Sequence, residues 1–222
     1  MTVQTDLQAY YAQRAASYEE IYAKPERQAD LAILHQRLRT RFIGQRVLEI
    51  ACGTGYWTAD LAASANYVLA TDLNPEVVEL ARAKQLPAEK VEFALADAFA
   101  LAPVPASDGA EAFNACFAGF WWSHVGRERQ VDFLTGLRQR LAPNAQLVML
   151  DNVYVEGSST PIARTDAFGN TYQIRRLPDG ERYEVLKNFP TDSTLRKRLA
   201  SHLKEIRIER LEHYWMLSGR FK

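Results

Sequence analysis

The chain has 222 residues, 47% hydrophobic and 24% charged, with 27 basic side chains balancing 27 acidic ones. That length buries a full core, and the composition is that of an ordinary globular protein rather than a disordered one. Zero net charge offers bulk DNA or RNA no basic excess to hold, and Arg196-Lys197-Arg198 reads as the solvated face of a helix.

Met1 to Asp6 has no basic segment followed by an apolar core, so no secretory leader is expected. No run approaches the roughly 18 apolar residues of a membrane span, and a cytoplasmic setting follows. In that setting Cys52 and Cys116 stay thiols with packing roles. No His and Cys cluster has ligand spacing, so no metal is expected.

Val3 to Tyr22 carries Val3, Leu7, Tyr11, Tyr18 and Ile21 at helical spacing. Glu26 to Arg41 predicts a second helix, with Leu31, Leu34 and Leu38 on one side, leading through Gly44 into the apolar strand Val47 to Ala51. That strand ends in Gly53-Thr54-Gly55, where the backbone can turn tightly and approach a ligand. A helix over Trp57 to Ala63 follows. Thr58 stands where a dinucleotide fingerprint needs its third glycine, which weakens a pyrophosphate reading.

Strand Tyr67 to Thr71 ends at Asp72, and Asn74-Pro75 starts a helix to about Lys84, Asn as cap and Pro at the first helical position. Strand Val91 to Leu95 leads to Asp97. Glu49, Asp72 and Asp97 thus recur at successive strands, in the βαβ alternation of a parallel sheet.

Leu101 to Asp108, with two prolines, predicts an irregular connection, and Ala110 to Phe117 the fourth strand. Its far end delivers Phe120-Trp121-Trp122-Ser123-His124 beside Gly53, where parallel sheets bind ligands. Adjacent tryptophans cannot share one face, so at least one is available to the cleft. A helix over Arg127 to Leu141 directs Val131, Leu134, Leu137 and Leu141 inward, and Gln146 to Leu150 is the fifth strand.

Thr171 to Leu177 and Arg182 to Lys187 are β-rich runs around the turn signal Pro178-Asp179-Gly180. Val153 to Asn188 therefore reads as an inserted loop and hairpin, covering the substrate side or making an oligomer contact. Thr191 caps a helix to about Lys204 with Leu195, Leu199 and Leu203 buried; Ile206 to Leu211 and His213 to Phe221 close the sheet, the second antiparallel.

From Tyr10 to Arg220 these landmarks resemble the class I S-adenosylmethionine-dependent methyltransferases of small-molecule type. The resemblance rests on Glu49-Ile-Ala-Cys-Gly-Thr-Gly55, Asp72-Leu73, Asp97-Ala98-Phe99 and the N-terminal Tyr10-Tyr11-Ala12-Gln13-Arg14-Ala15-Ala16-Ser17-Tyr18. It implies an α/β fold with a Rossmann-like, seven-stranded, mostly parallel sheet, helices on both faces, an N-terminal lid helix and a β-rich insert before the last helix. The expected organisation is one domain, with a lid over 1–42, a cofactor-binding core over 45–152, the insert over 153–189 and closing elements over 190–222.

S-adenosyl-L-methionine is the implied cofactor and S-adenosyl-L-homocysteine the implied product. The resemblance sets Glu49, Ala51, Gly53, Thr54 and Gly55 against the methionine part, Asp72 on the ribose and Leu73 on the adenine. Asp97, Ala98 and Phe99 contact the adenine amino group and form its other wall, Phe117 is a further cofactor contact, and Tyr11, Arg14 and Tyr18 close over the sulfonium and carboxylate.

A sulfonium methyl is already activated, so orientation, which supplies about 7–11 kcal/mol in favourable cases, matters more than a catalytic triad. Of the four histidines, His35 and His202 are expected at the surface and His213 in a structural hydrogen bond. His124 alone belongs to the cleft, as base or as an orienting residue. Phe120, Trp121, Trp122, Tyr154 and Tyr172 are candidate walls for a small acceptor, although the tryptophans equally suit sealing the sheet end. The expectation is methyl transfer to N, O or S of a small molecule by a monomer or homodimer without nucleic-acid or membrane partners. The alternatives are a nicotinamide-dependent oxidoreductase and a non-catalytic cofactor-binding scaffold.

Overall fold

The computed structural model of the chain describes residues 3–101, 104 and 112–222. Most of the expected irregular connection, and the start expected for the fourth strand at Ala110, lie outside the described residues. The N-terminal half runs β1 (Val3–Gln4), α1 (Leu7–Arg14), α2 (Gln28–Arg41), β2 (Arg46–Ile50), α3 (Thr58–Ala62), β3 (Tyr67–Asp72), α4 (Pro75–Ala83) and β4 (Val91–Leu95). The C-terminal half runs β5 (Phe113–Gly119), α5 (Gln130–Arg138), β6 (Leu141–Asn152), β7 (Ile162–Thr165), β8 (Thr171–Arg176), β9 (Arg182–Leu186), α6 (Asp192–Leu199), β10 (Leu203–Arg210) and β11 (Tyr214–Phe221).

The main sheet has the order β10-β11-β6-β5-β2-β3-β4. β6, β5, β2, β3 and β4 run parallel, and β11 is antiparallel to both its neighbours. This is the expected seven-stranded, mostly parallel α/β sheet. β2 is paired with β3 on one side and β5 on the other, so the order reverses at β2 and opens a crevice above its carboxyl end.

Alternation along β2 builds a core on each face. Leu48 and Ile50 join Leu134, Leu137, Leu195 and Leu199 of α5 and α6, whereas Val47 joins Leu34, Leu38 and Leu61 of α2 and α3. Glu49 also faces the α3 side, where its Oε2 accepts a 2.7 Å hydrogen bond from the Thr58 hydroxyl. That bond occupies position 58, where glycine would be needed to bring a helix against a pyrophosphate.

A second sheet of four strands has the order β1-β9-β8-β7. The expected hairpin is β8 with β9, antiparallel around Pro178-Asp179-Gly180, where Gly180 has φ +90°. Two strands went unforeseen, the exposed β7 and the short β1, which adds parallel to β9 from the other end of the chain. The N-terminal segment is consequently not one helix. Asp6 caps α1 by accepting from Ala9 N–H at 3.0 Å, and beyond Arg14 the chain tightens into a 3₁₀ run over Ala15–Tyr22. Ser17 Oγ reaches back to the Arg14 carbonyl there, competing with the α ladder. Tyr10 packs with Leu177, Tyr183 and Val185, so α1 rests on the insert rather than on the main sheet.

Three other boundaries differ from expectation. α5 stops at Arg138 because Leu141 already pairs with Phe113 at the start of β6, and Val131, expected inside, is 53% exposed while Phe133 takes the buried position. Pro143 and Asn144 (φ +62°) lie within β6 where its register to β5 shifts. α6, capped as expected by Thr191 Oγ1 accepting from Thr194 N–H, ends at Leu199, since Leu203 is captured by Phe221 in the β10–β11 pair.

Two non-glycine residues, Ala51 (φ +54°) and Phe120 (φ +58°), occupy the left-handed region at the carboxyl ends of neighbouring strands. Such backbone costs an L-residue roughly 1–2 kcal/mol and concentrates where ligands are held. Ala51→Gly should therefore leave unfolding stability within about 1 kcal/mol of the parent, relief of strain offsetting the entropy of glycine. Ala51→Val, whose β-branch disfavours positive φ, should lose more than about 1 kcal/mol; denaturant unfolding of both variants checks this.

Candidate active site

Gly53 (φ +56°) and Gly55 (φ +74°) turn the chain above β2. At Gly55 a Cβ would meet the Ala81 Cβ at 3.1 Å, so glycine is needed both for the turn and for seating α4. Across this turn lies Asp72, at the end of β3. Its Oδ2 accepts from Gly53 N–H and its Oδ1 from Asn74 N–H, each at 2.9 Å. The carboxylate thus ties two strand ends together while keeping lone pairs for a ligand. Burial pushes its pKa up, and the backbone N–H groups that donate to it pull it down.

A cavity of ≈ 220 Å³ opens over this bracket. Ala51, Gly53, Asp72, Leu73, Tyr11 and Tyr18 line it, as expected of cofactor-side residues. Leu7, Gln8, Asn74, Val77, Gly119, Phe120, Trp121 and His124 complete it; apart from Phe120, Trp121 and His124, these were not anticipated. Leu73 is 50% exposed on the cavity wall, and Asn74 Oδ1 and Trp121 Nε1 are buried there without partners. An apolar shelf beside an unsatisfied acceptor and an unsatisfied donor suits a flat heterocycle with polar edges.

Several expected contacts lie elsewhere. Glu49 is buried beneath the turn, and burial pushes its carboxyl up to about 8 against the opposing Thr58 hydrogen bond. Thr54 Oγ1 donates to Glu19 at 2.6 Å, tying the glycine turn to the 3₁₀ segment. Asp97 accepts from Phe99 N–H in a local turn, Ala98 is buried, and Phe99 packs against Trp121 beneath the Arg129 guanidinium; none of the three lines the cavity. Phe117 is wholly enclosed in the core.

A second cavity, ≈ 180 Å³, lies between the N-terminal segment and the insert. Tyr11, Tyr18, Phe120 and His124 line both cavities, so these four residues form the junction. Arg14 faces this second cavity and not the first, against the expectation of a contact to the cofactor carboxylate; its Nη1 donates to Tyr10 OH at 2.8 Å. Of the expected acceptor walls, Phe120 is here and Trp121 is on the cofactor side. Trp122, 1% exposed, belongs to the core. Tyr154 packs on Phe189, and Tyr172 donates to Asp166 beneath Arg164, both away from the cavity.

Lys24, Arg27, Arg175 and Lys187 also line the second cavity and went unread in the sequence. Gln173 and Arg175 sit two apart in β8 and share a face, while Tyr172 and Ile174 point the other way. Neither face is apolar enough to mark a core, and that ambiguity was the available signal. Lys187, 4% exposed, donates to Asp151 Oδ1 at 2.9 Å and Ser123 Oγ at 2.7 Å. Asp151 also receives Ser123 N–H, so the ion pair pins the segment carrying Trp122 and His124 to β6. Burial pushes the Lys187 pKa down, with Asp151 opposing.

The His124 ring is held at both nitrogens. Nδ1 lies 2.6 Å from the Leu186 carbonyl, which can only accept, so Nδ1 carries the hydrogen. Nε2 is then the lone-pair nitrogen, and Tyr11 OH donates to it at 3.0 Å. Burial first, then Lys187 and Arg175, hold the His124 pKa well below the usual imidazole value. Burial pushes the Tyr18 phenol up to about 12 and Tyr11 higher still, so both keep their protons.

Of the other histidines, His202 is half-buried, and His35 and His213 have fixed partners. His35, expected at the surface, bonds Asp60 through Nδ1 and Tyr56 OH through Nε2, and stacks on Trp57. His213 donates its backbone N–H to Asp30 at 2.8 Å, while its ring Nδ1, 3.6 Å from the same carboxylate, is buried without a hydrogen bond. Cys52 and Cys116 are buried free thiols. Among the described residues no group of three His, Cys, Asp or Glu has metal-site geometry, and no helix is long and apolar enough to cross a membrane.

Residues 47–144 match the family model described as a methyltransferase domain. The chain is 33% identical over 108 residues to a demethylmenaquinone methyltransferase of Clavibacter sepedonicus; the match spans 49% of this chain and 41% of that protein. Two solved structures of DhpI align over 96% of this chain and 94% of theirs with a TM-score of 0.76, one with SAH at 25% identity and one with SAM and HEP at 27%. The [4+2]-cyclase SpnF shares the fold alone, at 16% identity with TM-score 0.64 over 100% of this chain and 98% of its own. The sheet order and the Asp72 bracket agree with these likenesses, which are to S-adenosylmethionine-dependent methyltransferases.

Two predictions follow from the buried charges. Glu49 holds its proton up to about 8 when folded against 4.5 ordinarily, so the folded state binds the extra proton and stability declines as pH rises from about 4.5 to 8. Glu49→Gln should flatten that part of the stability profile in denaturant melts; an unchanged slope would contradict the assignment. Asp151→Asn leaves Lys187 buried without its counter-charge and should cost about 3–5 kcal/mol, measured by chemical unfolding near neutral pH.

Proposed function

We propose that the chain binds S-adenosylmethionine over the Gly53–Asp72 bracket and transfers its methyl group to a small molecule held in the second cavity. The observation that carries this reading is the junction: two cavities, one on the sheet's carboxyl edge and one under the insert, meet at Tyr11, Tyr18, Phe120 and His124.

The cofactor-side residues fit the group. Asp72 would hold the ribose hydroxyls, Leu73 and Val77 would lie against the adenine, and the unpartnered Asn74 Oδ1 and Trp121 Nε1 would meet its polar edges. When bound, the cofactor supplies a methyl group already activated on a sulfonium. The remaining tasks fall to the chain: excluding water, aligning the acceptor and managing its proton.

Tyr18 and Phe120 are the apolar walls that exclude water at the junction. Tyr11 and His124 form a proton path. A proton reaching the Tyr11 oxygen is passed on as Tyr11 gives its own to His124 Nε2, whose lone pair is fixed in place by the Leu186 carbonyl on the far side of the ring. A small acceptor is supported by the second cavity's ≈ 180 Å³ and its position beneath the insert.

Isothermal calorimetry should find S-adenosylmethionine binding by the parent chain and at least tenfold weaker binding by Asp72→Ala. Equal affinity of the two would contradict the role given to Asp72. With an acceptor in hand, Tyr11→Phe and His124→Gln should lower kcat while leaving cofactor affinity within about twofold.

A further inference from the structure

The chain is neutral overall, yet the second cavity is not. Arg14, Lys24, Arg27, Arg175 and Lys187 line it, and among its described lining residues there is no carboxylate. Three of these cations have acidic neighbours: Lys187 is paired with Asp151, Lys24 lies 4.0 Å from Glu26, and Arg27 is near enough to Glu26 to help hold its carboxyl below the usual range without forming an ion pair. Arg14, Arg27 and Arg175 enter no ion pair among the described residues.

What these arginines do touch is neutral. Arg14 donates to Tyr10 OH, Arg27 to the Ser158 carbonyl and hydroxyl, and Arg175 to Gln173 Oε1 at 3.1 Å. The Nε atoms of Arg27 and Arg175 are buried with no partner at all. Bringing guanidinium groups together inside a cavity without counter-ions is costly, and the cost is recovered when an anion takes the unused donors.

We propose that the acceptor carries a small oxyanion group, of carboxylate or phosphate type, gripped by Arg14 and Arg175 with Arg27 beside them, and presents a separate protonated nucleophile at the Tyr11–His124 junction, whose proton leaves through Tyr11 to His124 as the nucleophile takes the methyl group from the sulfonium. This rests on the reading of the adjoining cavity as the methyl-donor site. The same anion has a second effect on the site. Arg175 and Lys187 are two of the charges that disfavour protonated His124, so a bound negative charge offsets them and makes His124 a better proton acceptor when acceptor is present. Recognition and proton handling are thereby linked through the same cations.

The test uses the full chain and two kinds of probe. Inorganic phosphate and acetate, titrated at constant ionic strength against chloride, should raise the melting temperature saturably in the parent. The shift should fall at least fivefold in Arg14→Gln and Arg175→Gln, and vanish in the double variant, while Asp72→Ala keeps it. Phosphate acting alone assigns a phosphate-type acceptor, and acetate acting alone a carboxylate.

Matched acceptor panels, each acid against its neutral amide or alcohol, should give S-adenosylhomocysteine release at least tenfold faster with the acid. Equal shifts in the parent and the double variant, or equal turnover of acids and neutral counterparts, would overturn the proposal. Calorimetry with S-adenosylmethionine on the same proteins separates the two readings. Anion binding without cofactor binding sinks the methyl-transfer reading and leaves the anion pocket standing; cofactor binding without anion binding does the reverse.

Discussion

The cavity at the carboxyl edge of the main sheet is built around one carboxylate held by two backbone N–H groups. Asp72 reaches from the end of β3 to Gly53 at the end of β2 and to Asn74 at the start of α4. Without that bracket the glycine turn would be two mobile residues at positive φ. With it, the crevice at the reversal of strand order has a fixed floor. Both glycines serve this geometry differently, Gly53 by its dihedral and Gly55 by its closeness to Ala81. Strain in Ala51 and Phe120 completes the rim.

Above that floor the roof comes from both ends of the chain. β1 adds to β9, and α1 lies on the insert through Tyr10, Leu177, Tyr183 and Val185. Strand β1, helix α1 and the insert therefore share one small sheet and one small core, whereas Tyr18, Ile21 and Tyr22 of the 3₁₀ run join the main-sheet core that holds α2 and α3. The Lys187–Asp151 pair is one fixed link between roof and floor, joining the end of β9 to the end of β6 through the segment that carries His124, and the Thr54–Glu19 and Trp57–Tyr22 hydrogen bonds are others.

The floor was legible in the sequence, and the roof only as a hairpin and an N-terminal helix whose pairing with each other was not. Short apolar runs, Gly53-x-Gly55, Asp72 and the Asn74-Pro75 helix start are local signals whose meaning does not depend on distant partners, and five parallel strands followed from them. Even there the structure differs: Asn74 makes no side-chain cap, Asp72's carboxylate instead accepts the N–H of the cap residue itself, and Glu49 and Asp97 share the strand-end pattern without lining the cavity. The roof depends on a two-residue strand pairing across some 180 positions, which has no local signature. Arg14, Arg27 and Arg175 come from three separate segments, so no window of sequence shows a basic cluster, and a net charge of zero conceals it.

Fold alone does not decide a reaction, and the account rests on where the cofactor's sugar lies. The most direct measurement is a crystal structure of the chain with S-adenosylhomocysteine bound. The account predicts the ribose hydroxyls on Asp72 and the sulfur directed at the junction of Tyr11, Tyr18, Phe120 and His124. A product molecule lodged elsewhere, or with Asp72 still bonded only to Gly53 and Asn74, would contradict it.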